Sequence, residues 1–449
     1  MSNSFNKDKR GRLLYLGLAA VAGFFAAIVC TAFRFSAQWV IHLSEAVYAG
    51  VRQNLHWLPA LMVGAAALGL LASWIVSAYQ SCKGGGIPTS VAAIRGIVPL
   101  RWLSSILVLP FSALVTFFCG IPLGTEGPCV QMGTAIGDGL GRCFGHKKTP
   151  KLRSYVMTGG ASAGFSVATG SPLSALLFAV EELQGKCSPL LLAGVIVSVA
   201  TAQITAQLLA CLGFAFDKMF YLTQIHTLPA KLFFVPLTVG VGCGLASVLF
   251  TRFYHGVRKA VGAVLKKLPA QIFYPILFAA VSLVGVCMAD ALGTGHGLTE
   301  SLLHTRTVWY LLLLVFLLRM VFVTVSNTAG VTGGMFLPTL AFGAVVGALC
   351  GEGMLALGLM EAQYYPLAVI LGITAFLGAN SRIPFTACLF AAEVLCGIKQ
   401  LPALAVATAV AFLIAKYAAG KDITETVVAE KEAAQESTRR VEETVSASK

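Results

Sequence analysis

Charged residues are scarce in this sequence of 449 residues: 11% are Asp, Glu, Lys or Arg, whereas 57% are hydrophobic and the mean hydropathy is +0.82. This balance excludes an ordinary soluble domain, in which about a quarter of the residues are charged. Uncharged runs such as Leu13–Phe33 recur along the chain, and a spanning helix needs about 20 apolar residues. The sequence therefore predicts an all-α, polytopic membrane protein with more than about ten helical segments.

Metal-binding and cofactor motifs are missing as well. The 12 cysteines include no Cys-x-x-Cys pair, and the seven histidines stand at no metal-ligand spacing. We interpret the cysteines as small packing residues and predict no cofactor and no metal. The net charge of +13 comes from short basic clusters between apolar runs, such as Arg252–Lys259, which are typical of loops at a membrane surface and argue against nucleic-acid binding.

The two ends of the chain are polar. Residues 1–12 form a basic arm, and residues 421–449 form a charged tail that we expect to be a solvated helix or disordered. The arm and the first apolar run resemble a signal peptide, but the run is too long and no small-residue cleavage site follows, so we interpret it as a retained helix. We expect residues 13–420 to be the membrane domain of a multi-pass protein of the plasma or inner membrane, with both termini cytoplasmic.

The chain also repeats itself. Gly124-Thr-Glu-Gly-Pro128 corresponds to Gly334-Met-Phe-Leu-Pro338 at an offset of 210 residues, and Pro172–Glu181 corresponds to Pro384–Glu393 at an offset of 212. Matched segments interrupted by Gly and Pro predict two inverted-topology repeats whose broken helices meet near the midplane of the bilayer. The alternative is that the glycines only let helices pack closely. We place the two halves at about 13–213 and 230–420.

Both turns run from glycine into proline, and so does Gly84-Gly-Gly-Ile-Pro88. Proline suits the first turn of a helix, so the residues before it present free backbone N–H groups. Helix N-termini of this kind attract anions, and glycines let the backbone approach an ion closely. Because irregular backbone within a membrane is tolerated only where it is buried or lines a cavity, the three turns predict an anion site built from backbone amides.

Four glutamates near these segments are candidate functional residues. Glu126 lies in a predicted anion-attracting turn, so its carboxylate would compete with an anion, and protonation would vacate the site. The alternative is a structural helix cap, although ionisable residues within spans are more often functional. Glu181 and Glu182 follow the predicted helix at Pro172, and Glu393 repeats Glu181. From spacing alone these three could relay protons, form an ion pair or face the headgroups.

Together the motifs resemble the CLC family of chloride channels and anion/proton exchangers. Gly84–Pro88 is similar to its Gly-Ser-Gly-Ile-Pro, Gly124–Pro128 to its Gly-Lys/Arg-Glu-Gly-Pro, and Gly334–Pro338 to its Gly-x-Phe-x-Pro. Pro99–Trp102 and Ser171–Glu182 also fit the family in order. The resemblance covers about residues 13–425, and it implies a homodimer in the lipid membrane that moves chloride or related anions and protons.

The resemblance further implies the roles of individual residues. Glu126 would be the gating glutamate, reached by protons from outside, and Glu182 the inner glutamate that relays protons in the exchangers. The residues that it implies at the anion site are Gly85, Gly86, Ile87, Thr125, Gly127, Met335, Phe336 and Thr424. Because the family's channels typically lack the inner glutamate, the resemblance favours chloride/proton antiport.

Three positions depart from the family's pattern. Gly85 replaces a serine whose hydroxyl contacts the central anion, Thr125 replaces a basic residue, and Thr424 replaces a central tyrosine unless Tyr417 takes that place. A passive or weakly coupled pathway for chloride, fluoride or another halide therefore stays open as the alternative. A remote alternative is an intramembrane enzyme, but the sequence has no His-Glu-x-x-His motif and no histidine near Glu126.

Overall fold

The computed structural model of the chain describes residues 9–144, 150–215, 219–220 and 226–447. Residues 1–8 of the predicted basic arm lie outside the described residues, and residues 9–12 already belong to the first helix. The described part contains 17 α-helices and one isolated antiparallel bridge. The helices are α1 (Lys9–Gln53), α2 (Leu58–Ala78), α3 (Ile87–Ile94), α4 (Trp102–Phe118), α5 (Glu126–Cys143), α6 (Pro150–Thr169), α7 (Pro172–Phe178), α8 (Pro189–Cys211), α9 (Phe234–Lys267), α10 (Ala270–Cys287), α11 (His296–His304), α12 (Trp309–Ala329), α13 (Phe336–Ala356), α14 (Tyr365–Asn380), α15 (Pro384–Ala391), α16 (Leu401–Ala418) and α17 (Ile423–Ala447).

Nine helical segments of the described chain are long and apolar enough to cross a membrane. The run Leu13–Phe33 lies within α1, as the sequence predicts. Large apolar side chains point outward from several of these helices: Trp39 is 70% exposed and Ile204 60%. Exposed apolar surface on this scale marks a face that meets lipid rather than water. The chain is therefore a multi-pass membrane protein.

The predicted repeat is confirmed by the order and length of the helices. Helices α1 to α8 are followed by α9 to α16 in the same succession of long and short elements. In each half the third helix is short, with eight and nine residues, and so is the seventh, with seven and eight. A π-helical turn follows the seventh helix in both halves, at Ala179–Gln184 and Ala392–Cys396.

The glycines that follow the two matched turns pack helices against each other. A Cβ added at Gly137 of α5 would lie 2.6 Å from the Cα of Met157 in α6. A Cβ at Gly343 of α13 would lie 2.5 Å from the carbonyl oxygen of Gly372 in α14. Small residues let these helix pairs approach closely, as is usual in membranes. The alternative that glycines only allow close helix packing is thus correct for Gly137 and Gly343. The glycine turns that precede them lie in different surroundings, which are described below.

Two glutamates, one in each half, form hydrogen bonds with the other half. Glu181 accepts hydrogen bonds from two backbone N–H groups in the first turn of α15, and Glu393 accepts from two in the first turn of α7. The donors are Phe385 and Thr386 for Glu181, and Leu173 and Ser174 for Glu393, at 2.6–3.1 Å. A carboxylate at a helix N-terminus satisfies N–H groups that have no partner within the helix. Glu181 and Glu393 therefore act as helix caps, which resolves a choice that spacing alone leaves open.

Candidate functional site

The three glycine–proline turns lie at helix N-termini, as the sequence predicts. Helix α3 begins at Ile87, α5 at Glu126 and α13 at Phe336, and each has a proline within its first three residues. Their first N–H groups have no acceptor within their own helices. The chain thus brings three positively polarised helix ends to one place.

The turns meet along a line of glycines that we call the glycine seam: Gly85, Gly86, Gly124, Gly127 and Gly334. The N–H of Gly124 donates to the carbonyl of Gly334, and the N–H of Gly334 donates to that of Gly124, both at 2.7 Å. A Cβ added at Gly127 would lie 2.5 Å from the Gly85 carbonyl oxygen and 2.7 Å from the Cα of Gly334. Gly86 has a φ of +67°, which favours glycine, and a side chain there would overlap the Gly127 carbonyl. The backbones of the two halves are therefore in direct contact.

Glu126 lies beside the seam and is fully buried. Its Oε1 accepts a hydrogen bond from the Thr125 hydroxyl at 3.0 Å. Its Oε2 has no hydrogen-bond partner of normal geometry among the described residues. A Cβ added at Gly124 would lie 2.6 Å from this oxygen and 3.4 Å from the backbone nitrogen of Leu337, so the oxygen lies near the first turn of α13. A buried carboxylate with an unsatisfied oxygen is costly, which makes this position a candidate for function rather than stability.

Two cavities approach the glycine seam. The first, which we call the Glu126 cavity, has a volume of about 380 Å³, and its lining includes Arg34, Thr125, Glu126 and Leu337. The second, the Glu182 cavity, has a volume of about 760 Å³. The predicted site residues in its lining are Gly85, Ile87, Glu182, Met335, Phe336 and Thr424. The predicted residues are therefore brought together around one junction, with Gly86 and Gly127 in the seam and the others along the two cavities.

Glu182 differs from its neighbour Glu181 in its surroundings. Both lie in the π-helical turn after α7, but Glu182 lines the second of these two cavities and Glu181 lines neither of them. Its side chain is 8% exposed, and Thr424 lines the same cavity. Arg95 and Asp422 are the charged groups that act on it most strongly from outside its own turn. A partly accessible carboxylate on the far side of the seam from Glu126 is suited to receive or release a proton.

Thr424 reaches the Glu182 cavity because the start of the tail forms part of its wall. Helix α17 begins at Ile423, and the Asp422 carboxylate accepts a hydrogen bond from the Glu425 N–H at 2.6 Å, which caps the helix. Tyr417, at the end of α16, is 82% exposed and lines neither cavity. Of these two residues, Thr424 is the one that lines the Glu182 cavity.

The expectation of a solvated tail is wrong for the first turns of α17. Ile423 and Val428 are buried, and Lys431 donates a hydrogen bond to the Thr89 hydroxyl at 2.8 Å. An apolar stripe at helical spacing lets α17 pack on the membrane domain. Composition alone hides this stripe because acidic residues occupy the opposite face.

A chain of polar side chains that the sequence analysis missed leads from the seam to α17. Asn327, in α12, lines the Glu182 cavity, and its Oδ1 accepts a hydrogen bond from the Tyr254 hydroxyl at 2.7 Å. That hydroxyl accepts from Nη1 of Arg258 at 3.1 Å, and Arg258 forms an ion pair with Glu430 of α17. The four residues belong to three distant segments and to no motif. Their only signal is that each is a polar residue on or next to an apolar helix.

One pattern in α6 has the form of a hydrolase motif. Gly160-Ala-Ser-Ala-Gly164 matches Gly-x-Ser-x-Gly, but it lies inside the helix, and its two glycines pack against the α5 backbone at Gly133 and Cys129. A nucleophilic serine of this type needs a sharp strand-to-helix turn that exposes it, so the pattern is one of helix packing. Within the described residues, no group of three or more His, Cys, Asp or Glu is placed to hold a metal ion.

Comparison with known proteins gives matches over most of the chain. A family model described as voltage gated chloride channel matches residues 68–416. The H(+)/Cl(-) exchange transporter ClcA of Klebsiella pneumoniae is 27% identical over 426 residues, which cover 93% of this chain and 88% of that protein. The protein of the same name from Cronobacter sakazakii is 26% identical over 453 residues, which cover 97% and 94%.

Solved structures share the architecture. A slow cyanobacterial Cl−/H+ antiporter superposes with a TM-score of 0.83 at 21% identity, covering 93% of this chain and 98% of that chain. A CLC-type fluoride/proton antiporter superposes with a TM-score of 0.72 at 22% identity, covering 92% and 97%. These likenesses show that the fold of two repeated helical halves extends over nearly the whole chain.

Proposed function

Because the chain belongs to the voltage-gated chloride channel family, we propose that it exchanges chloride for protons across a membrane. The observation that carries this proposal is the position of Glu126. Its buried carboxylate lies at the N-termini of α5 and α13, where two cavities approach each other. The two ClcA relatives and the cyanobacterial antiporter are named as exchangers of chloride and protons, which supports the proposal, whereas the other solved structure is named as a fluoride/proton antiporter.

The exchange follows from competition for the same helix N-termini. The free N–H groups and the dipoles of α5 and α13 favour one negative charge beside the seam, and the carboxylate of Glu126 supplies it when no anion is bound. Oε2 has no donor of normal geometry among the described residues, so it is the oxygen open to a proton. A protonated Glu126 no longer competes for the N–H groups, and a chloride ion takes its place.

The Glu182 cavity provides the route on the other side. Lys83, Arg258 and Lys431 line it, against the acidic Glu182 and Glu430, so the lining carries an excess of positive charge. Such a lining raises the local concentration of anions. Glu182, in the lining of this cavity, gives a second proton station.

A second candidate is a passive or weakly coupled pathway for chloride or another halide. It is favoured by one observation: at these points of the Glu182 cavity Gly85 has no side chain where the resemblance implies a serine, and Thr424 is smaller than the tyrosine that the resemblance implies. With fewer side chains in the way, an anion passes more readily without a proton moving in exchange.

Flux measurements in liposomes distinguish the two candidates. With a chloride gradient and no proton gradient, the wild-type protein is expected to drive protons uphill. Glu126→Gln, which cannot exchange a proton, is expected to pass chloride with no proton movement and no pH dependence, and Glu182→Gln to lose proton movement alone. Glu361→Gln is the matched control, because this side chain is 60% exposed and paired only at the surface.

Two results would contradict these assignments. If Glu126→Gln keeps the wild-type pH dependence, Glu126 is not the gate. Normal chloride flux without uphill proton movement in the wild type supports the weakly coupled pathway instead.

We also propose the assembly and orientation that the family resemblance implies. The transport domain is residues 13–420, with halves at about 13–213 and 230–420, and two copies form a homodimer in the plasma or inner membrane. Basic residues near the first span support a cytoplasmic N-terminus, and we propose that the tail lies on the same side. Light scattering of the purified protein tests the dimer, and labelling of single cysteines added near each terminus in intact cells tests the orientation.

A further inference from the structure

Asn327 places a carboxamide at the edge of the glycine seam. It lies in the last turns of α12 and lines the Glu182 cavity. A Cβ added at Gly85 would lie 3.2 Å from its Nδ2 and 3.5 Å from the carbonyl oxygen of Gly333. The amide therefore occupies the space that a side chain at position 85 would take, close to the turn that precedes α13.

Hydrogen bonds decide which end of this amide faces the cavity. Arginine is a donor only, so the Tyr254 hydroxyl accepts the bond from Nη1 of Arg258. The hydroxyl is left with its own proton to donate, and the acceptor at 2.7 Å is Oδ1 of Asn327. The assignment of oxygen and nitrogen in the amide thus follows from the network. Nδ2 is the end turned toward Gly85, and it has no hydrogen-bond acceptor among the described residues.

We propose that Asn327 binds the transported anion through the two N–H groups of Nδ2. It would supply the side-chain donor that Gly85 lacks, beside the backbone amides of Met335 and Phe336 at the start of α13. A neutral amide donor suits a small monovalent anion such as chloride, because it stabilises the charge without holding it as a fixed counter-ion would. This inference rests on the proposed anion transport and adds a ligand to it.

The braced position of the amide supports a binding role. The Tyr254 hydroxyl donates to Oδ1, Arg258 donates to that hydroxyl, and the ion pair of Arg258 with Glu430 links this arrangement to α17. A ligand held by a second layer of hydrogen bonds loses little freedom when the anion arrives. Tyr254 and Arg258 are positioning residues in this arrangement, because they act on the anion only through Asn327.

The Asn327 amide lies where a side chain at position 85 would lie, and substitutions at both positions test this overlap. Gly85 does not have a positive φ, so serine fits its backbone, but a Cβ 3.2 Å from Nδ2 is crowded. Gly85→Ser alone is therefore expected to weaken chloride binding by pushing the amide aside. In the Asn327→Ala background the crowding is gone, and the serine hydroxyl is expected to restore binding. Contacting residues of this kind are expected to be strongly non-additive.

The measurement is isothermal titration calorimetry of chloride into the purified full-length protein in detergent. A hydrogen bond to a charged group contributes enough for Asn327→Ala to weaken the Kd about tenfold or more. Gly85→Ser/Asn327→Ala is expected to bind chloride with an affinity close to that of the wild type. Thr238→Ala is the control, because its hydroxyl donates to the Phe234 carbonyl of its own helix and it lines neither cavity. It is expected to leave the Kd unchanged.

The outcomes separate this inference from the proposed function. Wild-type affinity in Asn327→Ala overturns the inference while leaving anion transport intact, and so does a double variant that folds but binds no better than Asn327→Ala. If the wild type neither binds nor transports a halide, the proposed function itself fails. Should Asn327→Ala not fold, Asn327→Asp keeps the shape of the side chain and its bond to Tyr254 but removes the donors. Wild-type chloride affinity in Asn327→Asp also overturns the inference.

Discussion

Replacing Gly124 by alanine tests whether the fit of Glu126 against the glycine seam controls the pathway. The added Cβ would lie 2.6 Å from Oε2 of Glu126 and 3.0 Å from the Cβ of Leu337. The backbone of Gly124 does not have a positive φ, so alanine itself fits. The crowding therefore falls on the carboxylate, which is the more flexible of the two neighbours.

The geometry sets the size of the effect. Carbon and oxygen in weak contact stay about 3.3 Å or more apart, so Oε2 must retreat by about 0.7 Å. Overpacking of this kind costs about 1–3 kcal/mol. If the whole cost falls on the state in which Glu126 occupies its site, the ratio of vacated to occupied sites rises about 5- to 150-fold. Gly124→Ala is therefore expected to pass chloride faster at neutral pH and to move fewer protons per chloride.

The assay is chloride efflux from liposomes at pH 7.5 and at pH 4.5, with proton movement recorded in parallel. Acid protonates Glu126 and vacates the site in both proteins, so the difference between variant and wild type is expected to shrink as the pH falls. Gly353→Ala is the control, since a Cβ there has no atom within 4 Å among its neighbours, and it is expected to match the wild type at both pH values.

A double substitution decides whether the carboxylate carries the effect. In the Glu126→Ala background the atom that Gly124→Ala displaces is absent, so the second substitution is expected to add nothing. Equal acceleration in both backgrounds would show that the effect passes through Leu337, and the reasoning about Glu126 would be refuted. Wild-type flux and coupling in Gly124→Ala would refute it as well.

Two further predictions concern stability. Glu393→Ala removes the cap of α7 and is expected to lower the free energy of unfolding by about 0.5–2 kcal/mol, measured as a lower Tm. Proton coupling is expected to be retained. Loss of coupling at an unchanged Tm would contradict the capping role. Burial raises the pKa of Asp422 from 3.8 to about 6, so the folded state binds this proton more tightly than the unfolded state, and stability is lost as the pH rises from about 4 to 6. Asp422→Asn, which can still cap α17, is expected to remove that part of the slope of Tm against pH, and an unchanged slope would count against the assignment.

The sequence predicts the features that depend on local patterns. Apolar runs predict the spanning helices, and glycine followed by proline predicts the helix starts at Ile87, Glu126 and Phe336. The repeat predicts the two halves because the same local pattern occurs twice. The convergence of the three turns also follows, since backbone ends left without partners in a membrane need a shared polar environment.

Features that depend on distant packing are not visible in the sequence. Glu181 and Glu182 are adjacent, yet Glu181 caps a helix of the other half and Glu182 lines a cavity. Their different roles depend on the π-helical turn that contains them and on the packing of distant helices around it. The inward face of α17 is hidden by the acidic composition of the tail. Asn327 becomes a candidate ligand only when α12 is placed beside Gly85.

The reciprocal contacts between the halves bear on how the two halves of such a chain can come to differ in sequence. Either half alone would have a short helix without its cap and a glycine turn without its backbone hydrogen-bond partner. Two copies of one half, related by a twofold axis, would each supply the cap and the hydrogen-bond partner that the other needs. Two identical copies, however, must carry the same residue in both turns. Joining the halves in one polypeptide removes that constraint. Position 126 is glutamate, while its counterpart 210 residues later is Phe336. A symmetric scaffold thus supports a one-sided gate, with a single titratable group at the junction where two would repel each other.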